Sequence, residues 1–139
     1  MQIKKVGVIG AGQMGNGIAH VLSLGGYDVV LNDIDKSTLE KAPHNIKNNL
    51  ERQVNSKKIS AEESNTALKS ISYTMSFEEF NDVDLIIEAA TENEPIKQKI
   101  LNSLLPHIQP HTILTSNTSS ISITRLALSL IHISEPTRL

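Results

Sequence analysis

Ten residues near the N-terminus constrain this chain more than any others: "VGVIGAGQMG", residues 6–15. An apolar, β-branched run reads as a buried strand, and it stops at Gly10-x-Gly12-x-x-Gly15, after which apolar residues recur at helical spacing. Each glycine has a separate task. Gly10 permits a tight turn, Gly12 lets backbone N–H groups at the positive helix end approach a pyrophosphate, and Gly15 allows close helix–strand packing. A dinucleotide fingerprint is completed by an acid at the end of the next strand, and Asp33 follows Gly10 at close to the usual offset of about 20 residues. Its expected role is to grip the adenosine ribose hydroxyls. The same residues also admit a plainer reading, a glycine-rich turn with Asp33 or Asp35 as a helix cap.

Further along, short β-branched runs alternate with amphipathic stretches, which predicts a doubly wound, mainly parallel α/β sheet with flanking helices. Strands are expected at residues 3–9, 27–32, 71–74, 85–88 and 112–115. A helix over 12–24 carries Met14, Ile18, Val21 and Leu22 at helical spacing and stops at Gly25-Gly26. Residues 36–70 are polar and the least regular part. There Leu39, Ile46, Leu50 and Val54 share one helical face, and a second helix starts at the capping-box-like "SAEE" from Ser60. Shorter helices are expected near 76–80 and 95–105.

Composition narrows the partners. With 139 residues, 39% hydrophobic, 20% charged and net charge −2, the chain suits one globular domain, and a near-neutral balance supplies no electrostatic reason to expect nucleic acid or an anionic membrane. The absence of cysteine rules out a disulfide framework or thiolate zinc site and points to a cytoplasmic setting. "MQIKKVGVIG" forms no signal-peptide apolar core, and no run approaches membrane-spanning length.

Two further stretches speak to chemistry: "DLIIEAATENEPIKQKI" from Asp84 and "ILTSNTSSISITRLA" from Ile113. Together with "GAGQMGNGIAH" they resemble the N-terminal half of the L-3-hydroxyacyl-CoA dehydrogenases, most nearly the bacterial 3-hydroxybutyryl-CoA dehydrogenases, without a break from Val6 to Ala127. The resemblance implies a Rossmann-type domain over residues 1–127 with a helical arm. It further implies NAD as cofactor, an acyl-CoA substrate and hydride transfer at its C3. The glycine loop, with Gln13 and Met14, and Asp33 would hold the dinucleotide. Glu92 and Lys97 would line the nicotinamide half, with Asn117 beside it, and Ser119 would hydrogen-bond the substrate's 3-oxygen. From the residues alone, Glu92 and Lys97 read as surface charge at a helix start and "SNTSS" as a loop capping the next helix. "NNLERQVNSKK" resembles the arm that touches coenzyme A, making Asn49, Lys57 and Lys58 candidates for its adenine and phosphates; a solvated helix face is the plainer reading. No metal site is expected. A non-catalytic NAD module would show the same glycine loop and Asp33 but has no need of "EAATEN" and "SNTSS" together, and a flavin- or S-adenosylmethionine-binding domain is a third option.

The family's general base lies in an "HFFNP"-like motif beyond "SNTSS", and this sequence contains none. His20 is expected in packing or on the surface, and His44, His107 and His111 in polar or turn contexts. The last twelve residues, "LSLIHISEPTRL", read as a translated transposase-type sequencing adapter, so 128–139 are expected to be foreign. His132 and Glu135 have contact spacing on a helix, but Pro136 follows at once. The expectation is therefore an NAD-binding half without activity of its own. The helical substrate domain, with the contacts of a homodimer, is expected to be absent.

Overall fold

In the computed structural model, residues 3–90 and 94–116 are described, with the backbone alone for Glu94, Lys97, Gln98 and Ser116. Glu92, Asn117, Ser119 and the 128–139 tail therefore lie outside the described residues.

Five parallel strands form one sheet. They are β1 (Lys5–Ile9), β2 (Asp28–Asn32), β3 (Ile71–Thr74), β4 (Leu85–Glu88) and β5 (Ile113–Ser116), in the order β3-β2-β1-β4-β5. The parallel register needs crossovers, and the helices supply them: α1 (Gln13–Leu24), α2 (Lys36–Asn55), α3 (Ala61–Lys69) and α4 (Glu94–Leu104). Strand and helix boundaries fall within two residues of those expected, except at 76–80, where only a 3₁₀ turn forms over Phe77–Phe80.

Period-two alternation divides the core between the two faces of the sheet. Val6, Val8, Val29 and Leu31 meet Ile18 and Leu22 of α1 and Ile46 and Leu50 of α2 on one face. Ile9, Val30 and Ile86 meet Phe80 and Leu104 on the other. The helix α1 corrects one expectation. Met14 and Val21 do not face the core: they are 42% and 51% exposed, and the buried stripe runs through Gly15, Ile18, Ala19 and Leu22. That rotation follows from Gly15, which lies so close to the preceding turn that α1 must rest on this edge.

The polar segment is more regular than its sequence suggests. The helix α2 runs 20 residues through Pro43, starting at Asp35, whose side chain accepts from the Ser37 and Thr38 N–H groups. Burial of Leu39, Ala42, Ile46 and Leu50 along one face keeps it continuous across a residue that removes a backbone donor. At α3 the capping box is formed in full, Ser60 Oγ receiving Glu63 N–H and Glu63 receiving Ser60 N–H, each at 3.0 Å. His20 joins α1 to α2 through Nε2 and Gln53 Oε1 at 2.6 Å. No helix among the described residues is long and apolar enough to cross a membrane.

Candidate functional site

The strand order reverses direction between β1 and β4, because β2 and β3 build outward from β1 on one side and β4 and β5 on the other. At that junction a crevice opens between the turn after β1 and α4, at the carboxyl ends of the strands, where α/β sheets bind ligands. The glycine loop lies in it.

Gly10 has φ +104°, and its N–H donates to the Asn32 carbonyl at 2.7 Å. A Cβ there would stand 2.8 Å from the Ala90 backbone, so the β1–α1 turn and the β4–α4 turn approach as closely as only glycine allows. At Gly15 a Cβ would lie 1.6 Å from the Gly10 carbonyl oxygen. Gly12 differs from both: a Cβ there meets nothing within 4 Å, and its φ of −74° is open to any residue. The protein itself makes no demand for glycine at this position. As N-cap of α1 it contributes no side-chain hydrogen bond, so the first N–H groups of the helix are left for a ligand at the positive helix end. Gln13 and Met14 lie exposed on that first turn.

Asp33 is tied to the loop. Its Oδ2 accepts the Ala11 N–H at 2.8 Å and its Oδ1 accepts the Asp35 N–H at 2.8 Å, so the carboxylate is held by two backbone amides while each oxygen keeps a further lone pair. It lines a groove of about 590 Å³ whose near wall includes Gly10, Gly12 and Ile34, and whose far wall is α4 through Ile96, Lys99, Ile100 and Ser103. Beneath it, Glu88 ends β4 fully buried and accepts the Ala90 N–H at 2.6 Å, shaping the turn that meets Gly10.

A second groove, of about 560 Å³, opens on the other side of the loop. Gln13 and Asn16 form one wall; Lys41, Asn45, Asn49 and Arg52 of α2 form the other. Asn16 is 8% exposed and its Oδ1 has no hydrogen-bond partner among the described residues.

Of the sequence-predicted residues, Gly10, Gly12, Gln13 and Asp33 are brought together around the crevice, with Gly15 directly behind the turn. Met14 lines neither groove. Lys97 lies on α4, and its side chain is outside the described residues. Asn49 lines the second groove, but Lys57 and Lys58 do not; they form the turn that ends α2, donating to the Val54 and Gln53 carbonyls, with Lys57 at φ +62°. The cations beside Asn49 are instead Lys41 and Arg52. Their signal in the sequence is helical spacing: 41, 45, 49 and 52 share one face of α2. Asn32, fully buried at the end of β2, also escaped the sequence reading.

The residues present fit a dinucleotide: a loop cleared of side chains at Gly12, a helix end with no side-chain cap, and a carboxylate held in place against the loop by the Ala11 N–H. Comparison with known proteins agrees. The chain is 51% identical over 125 residues to a 3-hydroxybutyryl-CoA dehydrogenase of Bradyrhizobium diazoefficiens, covering 90% of this chain and 43% of that one. It is 39% identical to the fatty acid oxidation complex subunit alpha of Acinetobacter baumannii, over 92% of this chain and 18% of that one. Among solved structures it is similar to (S)-3-hydroxybutyryl-CoA dehydrogenase PaaH1 of Ralstonia eutropha, with TM-score 0.80, 38% identity, and coverage of 91% of this chain and 45% of that one. The chain thus spans less than half the length of these relatives. The family described as 3-hydroxyacyl-CoA dehydrogenase, NAD binding domain, matches residues 5–138. A sheet that reverses at β1/β4, a glycine loop clamped by Asp33 and this match together place the chain in the NAD-binding domain family of the 3-hydroxyacyl-CoA dehydrogenases.

Proposed function

We propose that this chain is the NAD-holding part of an enzyme that moves hydride between C3 of a short acyl-CoA, 3-hydroxybutyryl-CoA, and the nicotinamide. The observation that carries the reading is the Asp33 carboxylate bonded to the Ala11 N–H at 2.8 Å, which couples the ribose-binding acid to the pyrophosphate loop. Bound NAD supplies the hydride acceptor. The protein's own part is placement. The N–H groups at the start of α1 receive the pyrophosphate and Asp33 the ribose hydroxyls. Glu92, Lys97 and Asn117 are assigned to the nicotinamide end, and Ser119 to the 3-oxygen of the substrate, by resemblance. For coenzyme A, Asn49 together with Lys41 and Arg52 offers amide and cationic partners for phosphates and pantetheine, in a groove that shares Gly12 with the dinucleotide crevice. Its cysteine-free composition fits a cytoplasmic enzyme, and the resemblance fits a homodimer.

Calorimetric titration of the 139-residue chain tests both halves. NADH is expected to bind, and CoA to bind with an affinity that falls several-fold in Arg52→Ala and further as salt rises. No NADH binding would overturn the dinucleotide reading. NADH binding with no CoA binding, or CoA binding indifferent to Arg52, would remove the assignment of the α2 groove.

A further inference from the structure

Gly17 lies inside α1, where the fold makes no demand for glycine. Its backbone is helical, and a Cβ built on it meets nothing within 4 Å among the described residues. Glycine inside a helix costs stability relative to alanine, because it gives up more backbone freedom on folding. Gly17 thus resembles Gly12 and differs from Gly15: a side chain would fit, and the space is left open. That space belongs to the α2 groove, which Gly17 lines; it takes no part in the Asp33 groove.

A second feature marks the same wall. Asn16, beside Gly17, is only 8% exposed, and neither end of its amide is used. Oδ1 is sealed from solvent, but Nδ2, which also makes no hydrogen bond among the described residues, is not, and the surface left to the side chain opens on the groove that Asn16 lines. Polar groups buried to this degree are almost always paired, so an open amide donor here is held ready for an acceptor that the protein does not supply.

The shape and charge of the groove narrow the occupant. Thr38 and Arg52 line its two ends on α2, about 21 Å apart at the helical rise, which suits an elongated ligand. Both cations, Lys41 and Arg52, stand on α2, and no acid lines the groove. The α1 wall carries no charge: it offers the carboxamides of Gln13 and Asn16 and bare backbone at Gly12 and Gly17. Phosphates therefore belong on the α2 side, and the α1 side suits a narrow, neutral segment that bears amide groups. The pantetheine arm of coenzyme A, a thin chain with two amides, has that chemistry.

We propose that Gly17 is kept open for the pantetheine arm, which lies directly against α1 there, with Asn16 Nδ2 donating to one of its amide carbonyls. The proposal rests on the assignment of the α2 groove to coenzyme A above.

The test is calorimetric titration of the intact chain with CoA, with adenosine 3′,5′-bisphosphate, which keeps the nucleotide end but lacks the arm, and with NADH. Gly17→Leu, which exchanges glycine for a good helix former, is expected to unfold no more easily than the unsubstituted chain and to lose CoA affinity by about tenfold or more, while the bisphosphate and NADH stay within about twofold. Asn16→Ala should weaken CoA by about threefold to tenfold and leave the bisphosphate unchanged. Undiminished CoA binding in Gly17→Leu would overturn the proposal, as would an equal loss for CoA and the bisphosphate, which would put the nucleotide rather than the arm against α1. Where Gly17→Leu fails to fold, Asn16→Ala decides: CoA affinity unchanged there overturns the proposal. If the unsubstituted chain binds neither CoA nor the bisphosphate, the assignment of the groove falls and takes the proposal with it; if CoA binding responds to Arg52→Ala but not to Gly17→Leu, only the place of the arm falls.

Discussion

The two grooves that flank the glycine loop are built in different ways. Backbone contacts set the Asp33 end of the first groove: Gly10 lies against the Ala90 main chain, the Ala11 and Asp35 amides hold the carboxylate, and Glu88 holds the Ala90 N–H. Side chains dominate the α2 groove, where amides and cations project from one exposed helix face. In the first, geometry is set before any ligand arrives, so preorganisation removes much of the ordering cost of binding. In the second, Lys41 and Arg52 must be ordered when a ligand binds, and their contributions are screened and modest. Changes at the backbone contacts of the first should act through fold and ligand together, and changes at Gly12 or in the second through the ligand alone.

The largest expected effect separates two glycines three residues apart. Gly15→Ala places a methyl 1.6 Å from the Gly10 carbonyl oxygen, and nothing flexible can yield there, so denaturant unfolding should show a loss of at least about 3 kcal/mol. Gly12→Val meets no protein atom, so unfolding free energy should stay within about 1 kcal/mol while NADH affinity falls by about a hundredfold or more. Equal damage to stability in the two variants would break the distinction between a glycine kept for the fold and one kept for the ligand.

Cofactor choice comes next. Because both Asp33 oxygens are anchored, the carboxylate cannot swing aside from a 2′-phosphate, and Ile34 beside it brings no positive charge. Like charges about 4 Å apart at an effective dielectric of about 20 repel by about 4 kcal/mol, roughly a thousandfold. NADPH should therefore bind at least about a hundredfold more weakly than NADH in direct titration, and Asp33→Ala should narrow that gap. Comparable affinities would mean that the clamp holds Asp33 for the turn rather than for the cofactor.

The smallest effect lies at the end of α2. Lys57 sits at φ +62°, where a side chain is strained and glycine is not, so Lys57→Gly should raise stability by up to about 1 kcal/mol and leave CoA affinity unchanged. A loss of CoA binding would return Lys57 to the substrate site and sharpen the division between the grooves in the other direction.

Much of the fold was legible because its signals are local. A β-branched run ending in glycine, an acid after the second strand, and Ser60 three residues before Glu63 each act within a few residues of themselves, and the structure contains all of them. The rotation of α1 was less so. Met14 and Val21 fit a helical stripe as well as Ala19 does, and only the contact between Gly15 and the turn chose between them. The helical face shared by Leu39 and Ile46 already implied that α2 runs through Pro43; what the sequence did not show is that the compensation comes from burial against the sheet and not from residues beside the proline.

The same division holds for the site. Sequence alone determined that a strand, a tight glycine turn and a helix must follow one another, with Asp33 one strand later, since these are consequences of covalent order and backbone sterics. Tertiary structure decided what each group faces. It set Asp33 on two amides, placed Lys41 and Arg52 rather than Lys57 beside Asn49, and left Asn32 with an idle oxygen under the groove. Those facts depend on elements far apart in the chain, β3 against β2 and α4 against the glycine loop, whose approach is settled by burying two apolar faces of one sheet and cannot be read from any short stretch of residues.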